Sequence, residues 1–181
     1  PDTLAGVMTP AAAVDLDVME ANLSRMAAYT SAHGLALRPH TKTHKSPEIG
    51  AEQIRHGAVG LTVATLHEAH VMAEATNDLL IAHPPVGAPK LERLLKLPAD
   101  LRVTVALDSA IALDGLSEAA ARAGRTFGVL VEADVGMRRV GIPDPERLAE
   151  LAAETTRRPG VKWRGIMFYP GHIRQHVSEQ D

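Results

Sequence analysis

Short apolar runs typical of buried strands alternate with longer amphipathic runs along almost the whole sequence. The runs predicted as strands are 35–37, 59–63, 79–82, 103–107, 127–133 and 163–168. Helices are predicted from residue 17 to Gly34, from Pro47, from Leu66, and at 88–97, 109–123 and 145–157. No pair of strand runs is joined by a hairpin signal, so the connections must cross over through helices. This order predicts a parallel α/β sheet.

Several predicted helices begin at residues that commonly cap helices. Asp17 stands three residues before Glu20, and Ser46 precedes a proline and a glutamate. Thr65 and Glu68 fit a capping box, and Asp144 precedes a proline. The first helix has an apolar face formed by Met19, Leu23, Met26 and Ala27.

Two parallel architectures fit this alternation. An open doubly wound sheet accommodates six strands, but its usual glycine-rich fingerprint is absent from the sequence. A (β/α)8 barrel needs two more strand–helix units and typically about 250 residues, whereas this chain has 181. Composition and periodicity leave both architectures open.

The composition excludes several functional classes. The 19 basic and 22 acidic residues are interspersed, which argues against a nucleic-acid surface or a basic membrane anchor. No apolar run reaches the roughly 18 residues of a membrane span, and nothing at the start is typical of a signal peptide. The absence of cysteine excludes disulfides, thiolate metal sites and a cysteine nucleophile. We therefore expect a soluble cytoplasmic protein.

The stretch LRPHTKTHKSPEI places many cationic or titratable groups at the end of the first predicted strand. If residues 37–42 stay extended, Arg38, His40 and Lys42 share one face. Active sites of parallel α/β folds lie at the carboxyl ends of the strands. Neighbouring cations there disfavour the ammonium form of Lys42 and favour a nucleophilic amine able to form a Schiff base.

Other interpretations of this stretch are a solvated loop and a metal site. His40 and His44 are four residues apart, as metal ligands on a helix are, but Pro39 and the β-branched Thr41 and Thr43 disfavour a helix here. Spacing alone leaves the solvated loop open.

The same stretch resembles the signature of the D-threonine aldolase and D-serine dehydratase family. These are fold-type III pyridoxal-phosphate enzymes related to the alanine racemase barrel. The resemblance extends through TPAAAVDLDVMEANLSRM, GLTVATLHEAHVMAEA, VLVEADVGMRRVGI and GIMFYPGHI. It implies a (β/α)8 TIM-type barrel of the alanine racemase type, of which residues 1–181 supply the N-terminal part, about six of eight units. The remaining units and a C-terminal β-rich domain would lie outside this chain.

The resemblance assigns the lysine that carries the cofactor. Lys42, and not Lys45, matches the lysine that forms the imine with pyridoxal phosphate. His40 is a candidate for supporting the cofactor from close by, although a hydrogen-bonded histidine at a strand end explains it equally well. Lys45 is expected to be a solvated or phosphate-facing charge.

Three further residues match the family's motifs. Arg139 matches an arginine that approaches the phenolic oxygen of the cofactor, while Arg138 is expected at the surface. Tyr169 resembles an active-site residue near the cofactor ring, with packing under a loop as the alternative. His172 is a candidate acid or base near the substrate hydroxyl. His176 is expected at the surface.

The activity implied is cleavage of D-3-hydroxy amino acids, such as D-threonine, to glycine and an aldehyde. A D-serine dehydratase, another fold-type III lyase or racemase, and a non-catalytic pyridoxal-phosphate-binding protein are the alternatives. A divalent metal (Mn, Mg or Zn) is implied, with ligands outside this chain, so no metal ligand is assigned. The resemblance also implies a homodimer and a D-amino acid substrate. We expect residues 1–181 alone to be inactive, with the rest of the barrel supplied by a second chain or a missing segment.

Overall fold

Parallel strands joined by helices form a sheet in the computed structural model, which describes residues 6–173. The elements are α1 (Leu16–Ala32), α2 (Pro47–Arg55), β1 (Leu61–Val63), α3 (Leu66–Met72), β2 (Asp78–Ile81), α4 (Ala88–Leu95), β3 (Arg102–Leu107), α5 (Ala110–Arg122), β4 (Phe127–Ala133), α6 (Pro145–Arg157) and β5 (Val161–Phe168). Each strand pairs with the next, in the order β1-β2-β3-β4-β5. The predicted parallel topology and five of the six predicted strands are confirmed.

The first predicted strand, at 35–37, is an extended segment rather than a strand of the sheet. It runs parallel to β1, with a single bridge between His40 and Thr62. Backbone hydrogen bonds join it to the chain around β1: Val59 N to Leu37 O at 2.9 Å and Thr62 N to Pro39 O at 2.8 Å. We call residues 35–40 the edge segment. Its position beside β1 is the one expected of a first strand, although the regular pairing is shorter.

The prediction that residues 37–42 stay extended is wrong at its carboxyl end. A turn occupies residues 41–44 and is closed by a hydrogen bond from Lys45 N to Thr41 O at 2.8 Å. Thr41 is fully buried, and its hydroxyl donates to Thr62 O at 3.1 Å. Because this anchored residue starts the turn, the chain leaves the sheet before it reaches Lys42.

Three of the four predicted capping residues are confirmed by side-chain hydrogen bonds. Ser46 accepts from Ile49 N, Thr65 accepts from Glu68 N, and Asp144 accepts from the first turn of α6. The first helix differs: Asp15, not Asp17, is its cap and accepts from Val18 N at 3.1 Å. Both aspartates suit an N-cap, and the helix begins two residues earlier than the sequence pattern predicts.

The two faces of the sheet have different chemistry. One face packs against the helices, and each aliphatic side chain buried there contributes roughly 1.5–3 kcal/mol. Its strand residues include Leu61, Val63, Leu79, Ile81, Val103, Val105, Leu107, Phe127, Val129 and Val131. The opposite face is mixed: it carries Thr62, Thr104, Gly128 and Glu132 together with Leu80, Ala106 and Leu130. The main apolar core therefore lies between the sheet and the helices.

Helix α1 lies apart from this core. None of its residues is buried; Met19, Leu23 and Ala27 of its predicted apolar face are partly covered, while Met26 is exposed. Strand β5 at the sheet edge exposes Ile166 and Phe168. Within residues 6–173, no helix combines the length and the apolar character that crossing a membrane requires. His176 lies outside the described residues.

Candidate active site

The turn that follows the edge segment places His40 beside Lys42. We call residues 38–45, which comprise the last three residues of the edge segment, the turn at 41–44 and Lys45, the Lys42 turn. The backbone N–H of Lys42 donates to His40 Nδ1 at 3.2 Å, so this ring nitrogen carries no proton. Burial lowers the pKa of His40 below its ordinary value, and the positive charge of Lys42 lowers it further. The imidazole is therefore neutral near pH 7 and lies two residues before the lysine.

Lys45 occupies a different environment from Lys42. Its ammonium lies 3.5 Å from Glu68 Oε1, and the other oxygen of Glu68 accepts from Ala64 N at 2.8 Å. Lys45 also has a positive φ of 52°, which places it at the bend between the turn and α2. Lys42, in contrast, makes no ion pair within residues 6–173. The two lysines of the motif thus differ in whether a carboxylate holds them.

Arg38 does not join the group at Lys42. Its guanidinium donates to Asp78 Oδ1 at 2.8 Å, and Asp78 is the first residue of β2. A side chain added at Gly60 would meet the Arg38 guanidinium at 2.2 Å, so Arg38 lies directly over this glycine. Because Asp78 stands at the amino end of β2, Arg38 is held toward the end of the sheet opposite Lys42. The predicted cluster of three therefore reduces to His40 and Lys42.

The loop after β4 is shaped by hydrogen bonds to one carboxylate. We call residues 134–142 the β4 loop. Asp134 Oδ1 accepts from Gly136 N at 2.9 Å and Arg138 N at 3.0 Å, and these bonds hold the pKa of Asp134 below its usual value. Gly136 and Arg138 both have positive φ, of 110° and 56°. The carboxylate thus compensates for a backbone conformation that side-chain-bearing residues rarely adopt.

Gly141 anchors the β4 loop back onto the sheet. Its φ is 98°, and a Cβ there would lie 2.5 Å from Ala133 C and Asp134 N. Its N–H donates to Asp108 Oδ2 at 3.0 Å, which ties the loop to the end of β3. Only glycine fits this close approach of two backbone segments.

The β4 loop brings Arg139, Tyr169 and His172 together. The Arg139 guanidinium carbon lies 4.6 Å from the centre of the Tyr169 ring, a cation–π distance. A Cβ at Gly136 would lie 3.2 Å from His172 Nε2, so the imidazole packs against the same loop. The site residues predicted after the fourth and fifth strands of the sheet are thus neighbours.

Sequence reasoning missed Glu132, the charged residue nearest to this group along β4. It is 2% exposed, and burial raises the pKa of its carboxyl above the usual value. The charge of Asp108 raises that pKa further, whereas Arg139 opposes the rise. A glutamate inside the apolar run FGVLVEA was the available signal, since a carboxylate is rarely buried without a role.

The structure thus forms two groups, both at carboxyl ends of the parallel arrangement. Lys42 and His40 follow the edge segment, whereas Arg139, Tyr169 and His172 follow β4 and β5. Strands β1, β2 and β3 separate the two groups in the order of the sheet. The buried Glu132 lies on β4, on the face of the sheet opposite the helices.

This fold and site define a member of the alanine racemase N-terminal domain family. The model of that family, "Alanine racemase, N-terminal domain", matches residues 14–180, and the chain belongs to it. The predicted fold class is thereby confirmed: a parallel α/β fold of the alanine racemase type, consistent with part of a TIM-type barrel.

Within this family, the chain is similar to enzymes that act on hydroxylated D-amino acids. It is 37% identical over 181 residues to a D-threonine aldolase of an Arthrobacter species, covering 99% of this chain and 48% of that protein. The crystal structure of D-threonine aldolase from Filomicrobium marinum superposes with a TM-score of 0.90 at 39% identity, covering 96% of this chain and 47% of that one. The D-threo-3-hydroxyaspartate dehydratase from Delftia sp. HT23 superposes with a TM-score of 0.84 at 33% identity, covering 96% and 46%.

These relatives are longer than the sequence described. The chain spans about half the length of the curated relatives it matches. The predicted family resemblance is confirmed, including the correspondence to the N-terminal part of its members.

Proposed function

We propose that this chain is part of a pyridoxal-phosphate-dependent aldolase that cleaves D-3-hydroxy amino acids to glycine and an aldehyde. The observation that carries the proposal is the unequal state of the two motif lysines. Lys45 is held by Glu68, whereas Lys42 makes no ion pair within the described residues and stands next to a neutral imidazole. A lysine that no carboxylate holds is accessible for the covalent bond to an aldehyde.

The described residues fit pyridoxal phosphate chemically. Lys42 would bond to its aldehyde carbon, and Arg139 would face its phenolic oxygen, where a guanidinium favours the ionised oxygen. Tyr169, whose ring stacks on Arg139, would flank the cofactor and fix the arginine, and His40 would support it near Lys42. When bound, the cofactor draws electrons from the bond that breaks at the α-carbon of the substrate.

Proton transfer is then the task of this chain's own side chains. His172 would accept the proton of the substrate β-hydroxyl as the Cα–Cβ bond breaks, since imidazole transfers protons readily near pH 7. His172 packs against Gly136, so its ring lies beside the β4 loop, which also carries Arg139. The divalent metal expected to assist at the hydroxyl would find its ligands beyond this chain, and the enzyme would act as a homodimer.

A dehydratase is the second candidate, because the Delftia sp. HT23 dehydratase superposes on the chain nearly as well as the aldolase from Filomicrobium marinum. In that reaction Lys42 would take the α-proton and hydroxide would leave from the β-carbon. Both reactions use the same Lys42 and Arg139.

Product analysis of the complete protein separates the candidates. Incubation with D-threonine and pyridoxal phosphate is expected to give glycine and acetaldehyde, and L-threonine is expected to react far more slowly. Release of ammonia and an oxo acid from D-serine, without glycine from D-threonine, would establish the dehydratase instead. Cofactor binding without any product would indicate a non-catalytic pyridoxal-phosphate-binding protein.

A further inference from the structure

A cavity of about 530 Å³ lies outside the proposed cofactor site, between the amino ends of α3 and α4. It is reached from the carboxyl ends of β1 and β2. Its polar lining consists of Thr65 and of four cationic or imidazole-bearing residues, His67, His83, Lys90 and Arg93. None of the described residues that line the cavity is acidic. This asymmetry in charge is unusual in a chain whose basic and acidic residues are otherwise balanced.

Arg93 is oriented in this cavity without being neutralised. Its Nη2 lies 3.1 Å from His67 Nδ1. Arginine can only donate, so this ring nitrogen accepts the hydrogen bond. Within residues 6–173, neither Arg93 nor Lys90 makes an ion pair. Lys90 lies one helical turn before Arg93, so both charges point to the same side of α4.

Apart from Thr65, the rest of the lining is apolar. Leu66 and Ile81 are buried side chains of the core, and Ala64, Pro84, Pro85 and Pro89 complete the wall. A site with this composition suits a ligand that has an anionic end and a hydrocarbon body. The cavity volume falls within the range of small-molecule sites.

We propose that this cavity binds a small organic carboxylate, with Arg93 gripping the carboxylate and Lys90 adding a second positive charge. The planar guanidinium matches a carboxylate in a two-pronged geometry. Phosphate is disfavoured here because the amino end of α4 offers few free N–H groups. Pro89 has none, and those of Lys90 and Leu91 already bond to Gly87 O at 3.1 Å.

Calorimetric titration of the complete, cofactor-loaded protein tests this site, with benzoate as the probe. Arg93→Gln is expected to weaken benzoate binding by about tenfold or more, the effect of losing one charge-assisted contact. Lys96→Gln is the matched control, because Lys96, the C-cap of α4, lies three residues after Arg93 but does not line the cavity. It is expected to leave the affinity within about twofold. Benzyl alcohol, which has the ring without the charge, is expected not to bind measurably.

Two outcomes would overturn the proposal. One is benzoate affinity that Arg93→Gln leaves unchanged, which would place the binding elsewhere. The other is inorganic phosphate binding at least as tightly as benzoate, which would show that the apolar lining contributes nothing to the affinity. If Arg93→Gln fails to fold, Lys90→Gln gives the same test, with an expected loss of about threefold. None of these variants touches Lys42 or Arg139, so failure here leaves the proposed function intact.

Discussion

The Lys42 turn and the β4 loop both carry candidate active-site residues, but they hold them by different means. In the Lys42 turn, two side chains are held by ion pairs: Lys45 with Glu68, and Arg38 with Asp78. In the β4 loop, the backbone is set by the Asp134 carboxylate and by Gly141 against Ala133. The first region therefore depends on side-chain charge and the second on backbone shape.

This difference predicts where each region is fragile. The Lys45–Glu68 pair contributes little to stability, about 0–1 kcal/mol, since the Lys45 side chain is 63% exposed. Backbone strain of the kind that a side chain at Gly141 would cause costs about 1–3 kcal/mol or more. We expect substitutions in the Lys42 turn to affect chemistry, and substitution of a glycine that shapes the β4 loop, such as Gly141, to affect folding.

The largest effect is expected for Lys42→Ala, which should lower turnover by roughly 10³-fold or more, as removal of a nucleophile does. Lys45→Gln should keep most of the activity, because only an exposed ion pair is lost. Borohydride reduction of the complete protein and peptide mapping should place the pyridoxyl group on Lys42. Finding that group on Lys45 would reverse the assignment of the two lysines.

Arg139→Leu should reduce turnover by about 10²-fold and shift the absorbance of the bound cofactor, because a preorganised charge at the site is removed. Its unfolding temperature should change little. Arg138→Leu, at the adjacent position of the β4 loop, should change neither turnover nor absorbance appreciably. A loss of folding in Arg139→Leu, with full activity in whatever remains folded, would show a structural role instead.

Gly141→Ala should lower the free energy of unfolding by about 2 kcal/mol or more, because its Cβ would meet backbone atoms 2.5 Å away. Gly124→Ala is the control: its φ is also positive, at 62°, but nothing lies within 4 Å of a Cβ there. It should cost only about 1 kcal/mol. Denaturant unfolding measures both. Equal costs would mean that backbone conformation, and not the close approach at Ala133, governs the β4 loop.

The smallest effect concerns the pH dependence of His40. Burial and the Lys42 charge lower its pKa, so the folded state resists protonation of this ring. Stability should therefore fall as the pH drops below the ordinary histidine pKa of about 6.5 and approaches the lower pKa of the folded state. An NMR titration should give a midpoint for His40 below that value. Replacing Lys42 with Met should raise the midpoint of the His40 titration. An unchanged midpoint would show that the Lys42 charge does not influence the pKa of His40.

Local sequence was sufficient for much of the fold. Ser46, Thr65 and Asp144 start helices where predicted, because capping involves only residues a few positions apart. Local sequence did not predict the cap of α1, because Asp15 and Asp17 are equally suitable N-cap residues. It also failed for the edge segment, whose pairing with β1 ends at the buried Thr41 rather than where the extended pattern ends.

The candidate site was predicted in part. Sequence motifs pointed to Arg139, Tyr169 and His172, and the structure brings Arg139 to Tyr169 and His172 to the β4 loop, while their roles stay predictions. Glu132 was missed because alternation along a strand shows which residues share a face, but not that a carboxylate on that face is buried near Asp108. That proximity depends on strand register across the sheet.

By itself, the sequence determined the order of strands and helices, the parallel arrangement and most helix starts, because these depend on periodicity and on contacts within one turn. The tertiary structure alone decided which of the crowded cations is free. Arg38 meets Asp78, which is 40 positions away in the chain, and Lys45, in the turn before α2, meets Glu68 of α3. Ion pairing depends on distances of a few ångströms between atoms, and only packing brings residues so distant in sequence within that range.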